Sequence, residues 1–372
     1  MTDLNLLLWH WGRRGGGPKI TLELARALSA LPNVNVHLSL SRQSEAYEET
    51  MALGLPGFHV DTYTDVPSAL GAMFRLPAIR SAFAHYLRDH RIDIVDCTMS
   101  HLWNPLFLPL MRRIRIPYVL TLHDAIPHPG EGYGVRGAMI RHEVLRADHL
   151  ITLSEHVKSQ AIRDLSYPAD RIDVIPHGVF SWGEAKPRSF PRDRPFRLLF
   201  FGRIHPYKGL DLLLDAYKQM RAKGFPVELL VAGPGDISPY AEGLATEGVQ
   251  VDNRWIPVEE IEGILRSGDL MVLPYVEASQ SGVAATACGA ALPVVATPVG
   301  GLSEQVQDKR TGLLAAAPPA SALVDAITIF LQDPSFYESC SRMALEYAAT
   351  DLAWPVIASK TLEVVSGLVE KN

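Results

Sequence analysis

The apolar residues of this chain come in short continuous runs separated by helical stretches. That pattern restricts the fold more than any other feature. LNLLLW (4–9), VNVHLSL (34–40), IDIVD (92–96), PYVLTL (117–122), HLITL (149–153) and DVI (173–175) read as strands. Segments with helical spacing separate them, such as 18–31, where a proline stands near the first turn. The pattern restarts after about residue 185 with FRLLFFG (196–202), VELLVAG (227–233), LMVLP (270–274) and PVVAT (293–297). Strands that are apolar throughout and joined by helices belong to parallel sheets covered on both faces. Two such sheets in tandem predict two Rossmann-like α/β domains. The segment 180–195, FSWGEAKPRSFPRDRP, is rich in proline and charge and reads as the linker.

Charge is divided unevenly between the halves. Residues 1–180 hold 18 Lys+Arg and 18 Asp+Glu, whereas 181–372 hold 17 and 23, and 12 of the 13 histidines lie in the first 180. The halves should have different tasks, and neither is the basic domain that nucleic-acid binding calls for. Cys97, Cys288 and Cys340 are odd in number and far apart. They form no disulfide framework and suit a reducing, cytoplasmic compartment. No Cys/His pair has zinc-ligand spacing. Asp3 stands where a signal peptide would be positive, and the apolar run 4–9 is too short for one. The 26 residues 278–303 carry no charge but include Pro293, Pro298 and several glycines, so they predict a buried helix–turn–strand, not a membrane span.

Ligands of such sheets bind at the carboxyl ends of the strands, so the loops there are where chemistry should lie. Four stand out. WGRRGGGPKIT (11–21) follows the first strand and opens a helix; Gly15, Gly16 and Gly17 would let backbone N–H groups approach a phosphate, or form a plain flexible turn. In TLHDAIPHPGEG (121–132), His123 and Asp124 stand at a strand end, where the histidine either touches substrate or caps the turn. In FFGRIHPYKGLDLLLDAY (200–217), Arg203 and Lys208 flank a turn before an amphipathic helix, a pattern that makes an anion site or leaves two solvated cations. In 274–301, 279–282 lead into a helix of small residues, 283–291, with Glu277 the one nearby carboxylate, either functional or solvated.

Together these loops resemble glycosyltransferase family 4, the retaining nucleotide-sugar enzymes of the GT-B fold. FFGRIHPYKGLDLLLDAY is similar to the family's "GR…KG…LL.A" segment, VAGPGD (231–236) to its "G.G" turn, and LPVVATPVGGLSEQV (292–306) to "G.PVVAT..GG..E". The first half matches more loosely, through the glycine loop, LHD (122–124), ADHLITLSEHVK (147–158) and HGV (177–179). The resemblance implies an α/β GT-B architecture: two Rossmann-like parallel-sheet domains facing across a cleft, with a C-terminal helix crossing back. The expected division is an acceptor domain over 1–180, a donor domain over 181–350, and a helix over 351–372 that returns to the first domain.

The resemblance also implies roles. Arg203 and Lys208 would hold the donor diphosphate and, with His123 at the donor sugar, form the catalytic set. Gly16 and Gly17 would approach the same diphosphate, and Gly235 belongs to the second glycine turn. Asn253, Arg254 and Ile256 would lie along the base. Ser281, Gly282 and Val283 would offer backbone N–H groups, beside Glu277. One departure is plain. The family pattern has two glutamates where this chain has Ala278 and Thr286, and Glu277 is the candidate replacement for the first. A family subset reads A(S/T)QSG here, as this chain does. The usual glycine two residues before PVV is Ala291.

The mechanism that follows uses no metal, and the chain has no D-x-D pair. Protein cations and helix N-termini would meet the charge on the leaving diphosphate. The leaving phosphate oxygen would take the acceptor's proton in a front-face, retaining transfer. The expected function is transfer of a hexose-type sugar from a UDP- or GDP-linked donor to a glycan or lipid-linked acceptor, in exopolysaccharide, capsule or lipopolysaccharide assembly. The basic, aromatic segments 73–91 and 96–118 suit a peripheral contact with the cytoplasmic membrane face, or are ordinary helices packed on the sheet. Alternatives are a sugar-nucleotide epimerase of related fold, which would want more carboxylates, and a GT-B protein that binds donor without chemistry. A dehydrogenase would need a strand–GxGxxG–helix unit, which is missing.

Overall fold

The structure is a computed structural model and describes residues 3–126, 134–180, 183–316 and 320–370. The distal part of the 121–132 loop and residues 181–182 of the expected linker lie outside the described residues. The chain divides into two compact units. The first takes in the chain up to Pro176 together with the C-terminal segment from Trp354, and the second is His177–Ala353.

The first unit holds β1 (Leu4–His10), β2 (Val34–Leu40), β3 (Ile94–Cys97), β4 (Tyr118–Leu122), β5 (His149–Thr152) and β6 (Ile172–Val174). All pair in parallel, in the order β2-β1-β3-β4-β5-β6. Alternation along β1 explains why the run is apolar on both faces. Leu7 and Trp9 enter one core with Phe83, Phe107 and Tyr118, while Leu6 and Leu8 enter another with Ile94 and Val119.

The second unit holds β7 (Phe196–Phe201), β8 (Val227–Ala232), β9 (Val249–Asp252), β10 (Leu270–Leu273), β11 (Val294–Ala296) and β12 (Gly312–Leu314), in the order β12-β11-β10-β7-β8-β9. The two sheets together carry all ten expected strands and two more. The additions, β9 and β12, are the two edges of the second sheet. An edge strand buries less: β9 has no buried residue, and β12 is three residues long.

Three segments refine the sequence reading. The expected linker is fastened to the second unit rather than loose: Arg188 donates to the carbonyls of Gly268 (2.7 Å), Leu265 (2.9 Å) and Ala290 (3.1 Å), and Arg194 grips Asp269 with two bonds. The uncharged stretch 278–303 forms the helix Gly282–Gly289, a turn and β11. The apolar stretch Pro334–Val369 could cross a membrane by length and composition. It breaks at 351–353 into two helices. Pro334–Thr350 packs on the helix Gly282–Gly289 of the second unit, and Trp354–Val369 packs on the helix Gly16–Ser29 of the first. Ile357, Ala358 and Val365 complete the core that Leu6 and Leu8 enter.

Candidate functional site

In doubly wound sheets the ligand crevice opens where the strand order reverses, beyond the carboxyl ends of the strands. That point lies between β1 and β3 in the first unit and between β7 and β10 in the second.

In the second unit β7 ends at Phe201 and is followed by Gly202, with φ 108. A Cβ on Gly233, after β8, would overlap the Gly202 carbonyl oxygen at 2.1 Å, so the two loops press backbone to backbone. A short turn, Pro206–Lys208, follows. Arg203 is exposed, whereas Lys208 is buried. The Lys208 Nζ donates to the Tyr275 hydroxyl at 2.7 Å and lies 4.4 Å from the centre of that ring. Among the described residues, no carboxylate is within ion-pair distance of it. A buried ammonium is costly unless an anion meets it.

Tyr275 begins the loop after β10, and its hydroxyl is 3.4 Å from the Ser281 Oγ. Ser281 is the N-cap of the helix Gly282–Gly289, its Oγ accepting from Ala284 N–H. Its own N–H does not face a ligand, as the resemblance implied. It donates to Gln305 Oε1 at 2.7 Å, while Gln305 Nε2 donates to the Ser281 carbonyl at 3.2 Å. The N–H groups of Gly282 and Val283 remain at the first turn, where no preceding carbonyl of the helix can serve them. Val283 lies beside Gly202, 3.3 Å from where a Cβ would stand there. Gly202, Lys208, Tyr275, Ser281 and Val283 are thus one cluster. Glu277 is half-buried. Ala278 is buried, and Thr286 turns its hydroxyl to the Gly282 carbonyl at 2.8 Å. Ala291 has φ 54, a left-handed conformation that a glycine adopts without strain.

The expected base-binding residues Asn253 and Arg254 have partners within the second unit. Asn253 holds the turn at Gly235 by two bonds, accepting from its N–H at 3.0 Å and donating to its carbonyl at 3.1 Å. Arg254 is paired with Asp252 and Glu260. Ile256 is buried, and Trp255 beside it is half exposed. Asn253 and Arg254 thus brace the loop after β9 while both remain exposed at its surface.

In the first unit β1 ends at His10, and the glycine loop folds over that ring. A Cβ on Gly12 would stand 2.6 Å from His10 Nε2, and one on Gly17 2.5 Å from His10 Cε1. Gly16 has no such restriction, with Ile20 its nearest neighbour at 3.9 Å. Gly15 is left-handed, φ 90, and its N–H donates to Glu45 Oε1 at 2.8 Å. His123, after β4, is half-buried and has its Nε2 on the Thr98 carbonyl at 3.0 Å. That leaves Nδ1 for any ligand. Burial lowers its pKa, with Asp124 opposing. His10 is lowered to about 3 by burial, with His101 and His123 adding to the effect, and burial takes His101 to about 4. Burial thus favours the neutral form of all three rings. Neither nitrogen of His10 has a partner among the described residues. Among those residues no three His, Cys, Asp or Glu side chains are grouped to hold a metal ion.

Sequence reasoning missed His10, Tyr275 and Gln305. His10 carried a signal, as the last residue of a strand that feeds a glycine loop. Tyr275 and Gln305 carried none, since each acts through a partner distant in sequence.

Two doubly wound parallel sheets in tandem are the architecture of the GT-B fold. A solved structure of HepE from Anabaena in complex with UDP-glucose matches with a TM-score of 0.74 at 16% identity, over 98% of this chain and 100% of that one. The family model described as Glycosyltransferase Family 4 matches residues 14–180, and that described as Glycosyl transferases group 1 matches 195–333. Both models are models of glycosyltransferases, and together they match most of the chain. The D-inositol 3-phosphate glycosyltransferase of Streptomyces avermitilis is 26% identical over 401 aligned positions, covering 97% of this chain and 85% of that protein. The enzyme of the same name from Arthrobacter sp. strain FB24 is 30% identical over 241 residues, 60% of this chain and 57% of its own length. The chain thus spans little more than half of that relative.

Proposed function

We propose that this chain is a retaining, metal-independent transferase that moves a hexose-type sugar from a nucleoside diphosphate donor. The observation that carries this is Lys208: a buried ammonium with no carboxylate partner among the described residues, beside the open first turn of the helix Gly282–Gly289. The donor's diphosphate is the missing anion. As the bond from the sugar to the phosphate breaks, negative charge gathers on the leaving oxygen. Lys208, Arg203 and the N–H groups of Gly282 and Val283 meet it. That oxygen accepts the proton of the incoming hydroxyl on the same face of the sugar, which retains the configuration. His123 contacts the donor sugar through Nδ1, and Gly16 and Gly17 approach the diphosphate. Ala278 and Thr286 supply no carboxylate, so the chain falls in the subset with the ASQSG loop, and Glu277 serves the sugar hydroxyls.

UDP-glucose in the Anabaena structure supports a nucleotide-sugar donor, and the donor proposed for this chain is UDP- or GDP-linked. The acceptor is a glycan or lipid-linked sugar in exopolysaccharide, capsule or lipopolysaccharide assembly, presented at the cytoplasmic membrane face. The test is a panel of UDP- and GDP-sugars screened for thermal stabilisation and for slow donor hydrolysis without acceptor. One donor should do both. Stabilisation without hydrolysis would make the chain a binding protein, and the absence of both effects with every donor would refute the reading.

A further inference from the structure

The helices Leu76–Asp89 and Asn104–Ile114 enclose a groove in the first unit, with a cavity volume of about 580 Å³. That is within the range of sites for small organic ligands, roughly 300–1,000 Å³. Its floor is made by Ala84 and Phe107, which belong to the core. Met73, Leu76, Leu106 and Leu110 form apolar walls, and Arg80 and Arg113 stand among the lining residues. The apolar surface continues outward: Met73 is 57% exposed, Phe74 89% and Leu106 45%. Apolar side chains this open, on one face, mark an interaction site.

Charge says what kind. Residues 73–91 and 102–116 carry seven arginines and a single acid, Asp89. Neither Arg80 nor Arg113 meets a carboxylate among the described residues. A soluble glycan could use the arginines, but it would set its hydroxyls against apolar walls and an apolar floor that cannot bond them. An acidic protein would use the arginines but not the apolar groove that they border. A hydrocarbon chain attached to a phosphate matches both features: the chain fills the groove, and the phosphate meets guanidinium groups suited to bidentate contact.

We propose that the groove between the helices Leu76–Asp89 and Asn104–Ile114 receives a hydrocarbon chain of a phosphate-bearing membrane lipid, with Arg80 and Arg113 on its phosphate. It rests on the reading of the acceptor as lipid-linked, and it names the residues that bring the first unit to the bilayer. Phe74 and Met73 enter the interface beside the groove, and the surrounding arginines face anionic headgroups.

The experiment uses the full chain and vesicles of phosphatidylcholine, alone or with roughly a third phosphatidylglycerol, at low and high salt. The three native cysteines are buried, so Leu106→Cys can carry a single environment-sensitive fluorophore. Binding to the anionic vesicles should shift that fluorophore to the blue, and bromine on the acyl chains should quench it. Arg80→Gln with Arg113→Gln should weaken binding about thirtyfold at low salt, about fivefold for each arginine. Leu106→Asp should abolish the binding that survives high salt. Donor hydrolysis should be unchanged in every variant. Anionic-vesicle binding without quenching would overturn the proposal, as would binding that ignores the two arginines. Donor hydrolysis without any vesicle binding would overturn it too, while leaving the transferase reading intact. Loss of donor hydrolysis in the wild type would strike that reading instead.

Discussion

Replacing Asp96 by asparagine should stabilise the first unit, and the gain should grow with pH. Asp96 lies on β3 with no exposed surface, and neither carboxylate oxygen has a hydrogen-bond partner among the described residues. Burial raises its pKa from 3.8 to about 7. Below pH 3.8 the folded and unfolded chains are both protonated there. Between 3.8 and 7 the unfolded chain ionises and the folded one does not, so stability falls as pH rises. Each unit is worth about 1.4 kcal/mol. Over roughly three units the full loss is of order 4 kcal/mol, complete near pH 8. Asparagine keeps the shape and never ionises. Its own unpaired amide adds an offset, but that offset does not vary with pH. The assay is urea unfolding of both proteins from pH 4.5 to 8, following the transition of the first unit by tryptophan fluorescence. The difference between them should widen with pH by several kcal/mol. Other carboxylates and the buried histidines titrate equally in both proteins and cancel. A difference that stays flat would show that Asp96 finds a partner when ionised, and would refute the reasoning.

Three further outcomes follow from packing and backbone geometry. Ile357→Ala should lower the first unit's stability by about 2–5 kcal/mol and leave the second unit's transition unmoved, because Ile357 is buried in the core on the Leu6 and Leu8 face; differential scanning calorimetry reads both. Ser166→Gly should raise the first unit's stability by roughly 0.5–1 kcal/mol in the same scan, since Ser166 caps the helix Glu155–Leu165 with φ 56 and is exposed. Gln305→Ala should weaken donor binding about tenfold by calorimetric titration, with far-UV circular dichroism unchanged, because it frees the Ser281 backbone and costs about one to two hydrogen bonds.

What the sequence made legible depended on how local the cause was. Phe196, Leu198 and Phe200 face one core while Leu199 faces the other, so the run had to be apolar and could be seen. The edge strand β9 buries no residue and β12 is only three residues long, so neither leaves that mark. Lys208 was visible because its turn and helix adjoin it. Its hydroxyl partner Tyr275 is 67 residues away, and Gln305 is 24 from Ser281, so neither pairing has a local signature. The bonds of Arg188 to three carbonyls of the second unit were hidden in the same way, and a strapped segment read as a linker. His10 was overlooked because its importance is steric: the ring occupies the space that side chains at positions 12 and 17 would need.

The central claim is that the diphosphate of a sugar donor seats on Lys208. Its most direct test is hydrolysis of the best donor by the wild type and by Lys208→Met, paired with calorimetric binding of the matching nucleoside diphosphate. Methionine fills the same space, and removing a buried charge should leave the fold at least as stable, which thermal melting checks. The rate should fall by about 10²–10³, the effect of losing one charge-assisted contact to the leaving group, and diphosphate binding should weaken with it. Unchanged hydrolysis and unchanged diphosphate affinity in a folded Lys208→Met protein would contradict the account.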